Sequence, residues 1–257
     1  MGRKAAVPEV IVDPTAWVVD NSFAEFLTSG TKQIKFMCML GYTFYHGYKV
    51  FSKLPKDSAP TYKFVNHFLA CTGGGIFVPI FINMVPVPLA TDLYPLAIVS
   101  SFLIHHYFPI VREVLGMSAI FKSFVIVLYE VTRAYVVVAL TSAAGAAIPA
   151  STFSFPVFGP IICGAIAGSG GMFMPLNKGL EPIKGGMQPP MLTALIGAAA
   201  YHIFMNTWLS EGVIDAKAKC HIHMAVFFIC IGQITAFGLT ADAQAAKAKK
   251  PTVAPPM

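Results

Sequence analysis

The chain has 257 residues, 56% of them hydrophobic and only 12% charged, with a formal net charge of +6 at pH 7. A soluble domain carries roughly twice that share of charge, so the composition excludes an ordinary water-soluble fold and describes a protein of the bilayer. The positive balance does not describe a nucleic-acid binder, because Lys and Arg are divided among short segments between apolar runs instead of forming one basic domain.

In chain order, residues 1–32 carry Arg3, Lys4, Glu9, Asp13, Asp20 and Glu25 and hold no apolar core of the kind a cleavable signal requires. Met1-Gly2 is followed by Ala6 where myristoylation wants Ser or Thr. This segment is expected to lie outside the membrane on the non-cytoplasmic side. Apolar runs then fall near 33–52, 62–82, 88–108, 117–141, 156–177, 190–210 and 220–240, each close to the 20 or so residues a transmembrane helix takes. The expected fold is therefore an all-α integral membrane protein with seven transmembrane helices in a channel domain over 33–240. Residues 241–257 form a basic tail, expected to be disordered and cytoplasmic.

Seven spans put the termini on opposite sides. With the N terminus outside, the cytoplasmic segments hold Lys49, Lys53, Lys56, Lys63, Arg112, Lys122, Lys178, Lys184, Lys247, Lys249 and Lys250. The other side holds Arg3, Lys4, Lys32, Lys35, Lys217 and Lys219. That asymmetry favours a cytoplasmic C terminus.

The second span contains Gly73, Gly74 and Gly75, followed by Pro79; the fifth contains Gly164, Gly168, Gly170 and Gly171. Glycine costs about 1 kcal/mol relative to Ala inside a helix, so both spans read as broken at their centres. Broken backbone is not tolerated against lipid, which places both segments in a sheltered or wet interior. The matching positions fit two inverted three-helix repeats, about 33–108 and 117–210, followed by a seventh helix at about 220–240. Close helix packing is the competing explanation, since small residues also let helices approach.

Within the fourth span, Glu130 and Arg133 lie three residues apart on one helix face. Each costs at least about 2.5–3.5 kcal/mol at that depth, and such residues usually mark an ion path, a relay or a headgroup site.

The stretch Glu130-Val131-Thr132-Arg133, together with the Gly-rich centres of spans two and five and a basic tail after seven spans, resembles the trimeric intracellular cation (TRIC) channels, and among them the invertebrate, nematode TRIC-B members. The resemblance covers roughly residues 18–240. The vertebrate motif begins with Lys, where this sequence has Tyr129. The resemblance implies a homotrimer of the endoplasmic or sarcoplasmic reticulum membrane, N terminus lumenal and C terminus cytoplasmic, with a pore in each subunit. It implies conduction of potassium and sodium as counter-current to intracellular calcium-release channels. It also implies a bound membrane lipid, phosphatidylinositol 4,5-bisphosphate. On that basis Arg133, Gly74 and Gly75 are expected at the headgroup, with Tyr129 and Lys122 as further candidates. Glu130, Thr132, Arg133, Gly73, Gly74, Gly75, Gly168, Gly170 and Gly171 are expected along the ion pathway.

Other features carry less. His105-His106 and His221-x-His223 lack further ligands in pattern, so no metal site is expected. Tyr42, Tyr45 and Tyr48 form a stripe on one face of span one, either pore-lining or ordinary packing. No nucleophile-base pattern, nucleotide loop or zinc-protease signature is present, so an enzyme is not expected, nor is a nucleic-acid partner. The alternative is a seven-helix solute transporter of the sugar-exporter type, in which a central linker helix would pair span two with span six.

Overall fold

The computed structural model describes residues 13–174 and 179–238. The tail expected over 241–257, Lys178, and Arg3 and Lys4 lie outside the described residues. Every regular element among the described residues is helical.

A short helix α1 (Ser22–Leu27) opens after Asn21, whose side chain accepts the Ala24 N–H. It leads into α2 (Lys32–Phe51), capped by Thr31 through the N–H of Ile34. Helix α3 (Pro60–Phe81) begins with its proline in the first turn, where the missing N–H costs nothing. The third expected span is divided into α4 (Val87–Ala90) and α5 (Leu93–Tyr107). No expected span corresponds to α6 (Ile110–Met117), which follows Pro109 and turns 95° away from α5. Ser118 then caps α7 (Ala119–Ala147) by accepting the Phe121 N–H. Next come α8 (Phe158–Ser169), continued by a 3-10 turn at Gly170–Phe173, then α9 (Pro189–Asn206) and α10 (Ala216–Ala236).

The seven longest helices thus fall where the seven apolar runs lie. By length and composition, α3, α7 and α10 are each able to cross a membrane alone, and the bent pair α5 and α6 would make a fourth span if it crosses as one. The chain is a multi-pass membrane protein. At 29 residues, α7 is the central strut, with α2, α6, α8, α9 and α10 packed around it. The main apolar core joins Val131, Ala134 and Val137 of α7 to Ala194 and Ala198 of α9 and Phe228 of α10. A second lies between α3, α7 and α8, and a third between α2, α3 and α5.

One expectation is corrected here. Helix α3 is not broken at Gly73–Gly75; it is α-helical from Pro60 to Phe81, with Pro79 inside it. Two neighbours brace the weak stretch. Tyr42 of α2 and Tyr94 of α5 both donate their hydroxyls to the Cys71 carbonyl, at 3.1 and 2.5 Å. On its other side the glycine run lies directly on the 3-10 turn after α8. A β-carbon on Gly73 would come within 2.6 Å of Gly171 N, and one on Gly170 within 2.5 Å of Gly74 N. The glycines of α3 therefore permit close backbone approach, as the competing explanation held. The fifth span is interrupted as expected, its α-helix ending at Ser169.

At the far end of the molecule, Lys219 Nζ of α10 binds Asp13 Oδ2 at 2.5 Å and Thr15 Oγ1 at 2.7 Å. The hydrogen bond from Lys219, with those from Thr15, pushes the Asp13 carboxyl down to about 2.

Candidate functional site

The interruption after α8 places the Gly168 carbonyl opposite α7, where the charged pair sits. Arg133 and Glu130 are 3% and 5% exposed and joined at 2.5 Å. Arg133 also donates from Nε to the Gly168 carbonyl at 3.1 Å, and from its second terminal nitrogen to the Pro190 carbonyl at 2.5 Å and Thr193 Oγ1 at 3.2 Å. The Phe228 ring of α10 and the Tyr129 ring lie 5.0 and 5.6 Å from the guanidinium carbon. One side chain thus ties α7 to the open end of α8 and the first turn of α9. Pro189 and Pro190 begin α9, and the Pro190 carbonyl takes bonds from both Thr193 and Arg133. Four of the five N–H donors of a guanidinium are satisfied within the protein.

Beside this clamp is a cavity of about 730 Å³, walled by α2, Ala70 of α3, Tyr129, the segment Ala167–Met172, Gln188–Pro190 and the end of α10. A smaller pocket adjoins it and reaches Glu130 and Arg133, with Tyr45, Lys49, Tyr129, Pro189 and Pro190 common to both. Tyr129 is packed against α2: it stacks on Tyr42 at 5.2 Å, meets Tyr45 edge-on at 4.9 Å and lies 5.4 Å from His46.

The structure brings together most of the residues expected at the site. Arg133 and Glu130 form its buried floor, and Tyr129, Gly168, Gly170 and Gly171 line the larger cavity. Thr132 is buried and returns its hydroxyl to the Leu128 carbonyl, lining neither cavity. Gly73, Gly74 and Gly75 are buried between α3 and its neighbours. Their N–H groups belong to an unbroken helical ladder, which removes them as open donors for a headgroup. Lys122 donates to the Ala236 carbonyl at 2.8 Å and lies over Phe237, so it closes the end of α10 beside the cavity and is not in its lining.

Sequence reasoning missed the contribution of α2. In sequence Lys49 reads only as a topological charge, yet it lines both cavities, with Nζ 4.2 Å from the Tyr45 ring centre and 5.2 Å from that of Tyr129. The available signal was the tyrosine stripe itself, because 42, 45 and 49 share a helix face.

These features define a class: a helical membrane bundle with a polar cavity against a buried, hydrogen-bonded charge pair. Within that class, the fold is that of the solved structure of a trimeric intracellular cation channel from C. elegans in the absence of Ca2+. The two share 16% sequence identity over 86% of this chain and 97% of that one, with a TM-score of 0.65. No protein-family model matches the chain, and no curated protein is significantly similar to it in sequence.

Proposed function

We propose that this chain is the subunit of a homotrimeric cation channel, conducting potassium and sodium across the endoplasmic or sarcoplasmic reticulum membrane as counter-current during calcium release. The observation that carries this reading is the shared fold with the C. elegans channel over most of both chains, with Glu130 and Arg133 buried where α8 gives way. The packing of α2 on α7 and of α3 on α8 supports two inverted halves plus α10, seven spans in all, since each contact pairs corresponding helices of the two halves. Oxygens for a dehydrating cation come from Glu130, Tyr129 and the second lone pairs of carbonyls near Gly168–Gly171; nothing here resembles a dedicated potassium filter, so selectivity between potassium and sodium is weak.

The cavity opens at the end where α2 finishes and α9 begins, the side that the Lys and Arg distribution assigns to the cytoplasm, with the N terminus in the lumen. Phosphatidylinositol 4,5-bisphosphate is the proposed lipid regulator at this cavity. Its headgroup would meet Tyr129 and the cavity wall, with Arg133 organising the floor from beneath.

Purified protein in planar bilayers should pass ohmic, weakly selective potassium and sodium currents. Saturable solute exchange without current would instead establish the sugar-exporter type of transport.

A further inference from the structure

Helix α6 takes no part in the site. It leaves α5 at 95°, so it adds almost no depth to the crossing that α5 makes. Eight residues rising 1.5 Å each form a rod of about 12 Å, and its neighbours fix the level at which that rod lies. Val111 and Leu115 share an apolar cluster with Phe44, Tyr45 and Tyr48 of α2 and with Phe121 and Val125 of α7. The guanidinium carbon of Arg112 lies 5.4 Å from the centre of the Phe51 ring, and Arg112 donates to the His105 carbonyl in the last turn of α5. Phe51 is the last residue of α2, and Ala119 is the first of α7. Three long helices thus end or begin beside α6, which places it at a membrane boundary.

Around its axis the residues of α6 sort into arcs, since each step turns the helix by about 100°. Val111 and Leu115 face the bundle. Ile110, Val114 and Met117 form the neighbouring arc and are exposed, Met117 by 78%. Arg112 and Gly116 lie across from them, with Glu113 on the outer edge. The exposed apolar arc continues a stripe that faces hydrocarbon. Leu96, Val99, Leu103 and Tyr107 of α5 recur at helical spacing and lead into Phe108 and Ile110, and Ile120 of α7 extends the stripe at 85% exposure.

We infer that α6 is an in-plane helix whose partner is the bilayer surface, with Ile110, Val114 and Met117 turned into the acyl boundary, and that it ties the end of α2 to that surface. It is not the second half of a broken span. A helix of this kind sinks its apolar face about 5–10 Å into the boundary between headgroups and chains. The leaflet is the one at which α2 finishes, on the side that the Lys and Arg distribution assigns to the cytoplasm. The inference holds whatever the cavity conducts or binds. Tyr45 and Lys49 wall the cavity and stand beside Tyr48 and Phe51, the residues that α6 grips. A change of thickness or lateral pressure in that leaflet therefore reaches the cavity wall through α6.

The test uses the full chain in bilayers containing lipids brominated at defined depths. The two tryptophans, Trp17 and Trp208, are exposed and are replaced as Trp17→Phe and Trp208→Phe. A single probe is then introduced as Ile110→Trp, Val114→Trp or Met117→Trp. All three should be quenched, at depths that agree within about 3 Å, because an in-plane helix keeps one face at one level. Asp57→Trp, on the exposed turn after α2, should not be quenched. A helix crossing with α5 would instead spread the depths of positions 110 and 117 by about 10 Å.

Such a spread would overturn the inference. So would the absence of quenching at all three positions, which would assign the face to water or to a second copy of this chain. If the tryptophan-free chain does not fold, Met117→Glu in the native background decides. A carboxylate at that exposed position should lift α6 from the boundary and speed hydrogen exchange at least about fivefold over residues 110–117 and over 48–52 at the end of α2. Unchanged exchange would be fatal, and a rise confined to α6 would remove the tie to α2.

Discussion

Helices α3 and α8 carry the same glycine enrichment and lie against each other, yet α3 runs unbroken for 22 residues and α8 stops after 12. The difference lies in what surrounds each one. Two tyrosine hydroxyls converge on the Cys71 carbonyl of α3, which ties the turn leading into its glycines to α2 and α5. The open end of α8 receives a guanidinium on the Gly168 carbonyl, one of the acceptors that a helix leaves unfilled in its last turn. Glycine content gives the permission, and the polar group that arrives from a neighbour decides how it is used.

The sharpest way to break this comparison is to remove the guanidinium. Arg133→Met leaves Glu130 buried and unpaired and should cost about 3–5 kcal/mol, read as a drop in the thermal midpoint. Hydrogen exchange should rise first over residues 164–173 while residues 66–78 stay protected; equal deprotection of both helices would mean that Arg133 is not specific to the α8 end. Adding Glu130→Leu to Arg133→Met should recover part of the loss, because the stranded carboxylate goes with it.

Next in size are the glycines at the contact. A methyl group on Gly170 meets the backbone at Gly74, which cannot withdraw, and Gly170→Ala should destabilise by about 1–3 kcal/mol. Gly75→Ala meets only the Val87 side chain, at 3.3 Å, and also gains helix propensity, so a change under about 1 kcal/mol is expected. Equal effects would show that α3 and α8 are not in backbone contact.

Smaller still is Tyr94→Phe, which removes one of the two hydroxyls on Cys71. A loss of about 0.5–1.5 kcal/mol is expected, with faster exchange confined to the glycine stretch of α3.

The smallest effect is at the opposite end of the bundle, far from both helices. The Asp13 carboxyl is held at about 2 by Lys219 and Thr15, below the ordinary value of about 3.9. A carboxylate with a depressed folded-state pKa contributes its stability in full above about pH 5 and loses it as pH falls from about 4 toward 2. The thermal midpoint of the wild type should therefore fall more steeply than that of Asp13→Asn across that window, and the two curves should run parallel above it.

The positions of the long helices were legible because hydrocarbon demands apolar runs, and every such run is a helix. The Glu130–Arg133 pair was legible for the same reason inverted: two charges in VLYEVTRAYVVV have no cheap place to go. What escaped was of another kind. Helix α6 is too short, and too close behind Pro109, to register as an apolar run. The continuity of α3 was hidden because propensity describes a helix alone, and Tyr42 and Tyr94 come from 29 and 23 residues away. Lys49 was hidden because a lysine at the end of a span satisfies the topology rule whether it faces water or a cavity. Only packing against Tyr129 distinguishes the two.

The pairing within the cavity floor also governs how the protein responds to an electric field. Glu130 and Arg133 move together as a dipole and bring no net charge into the membrane potential. The Lys49 ammonium brings a whole one, worth about 2.3 kcal/mol for a full crossing of 100 mV. Voltage therefore acts on the Lys49 end of α2 and scarcely on the Glu130–Arg133 pair, and a gating charge measured before and after Lys49→Gln would register the difference.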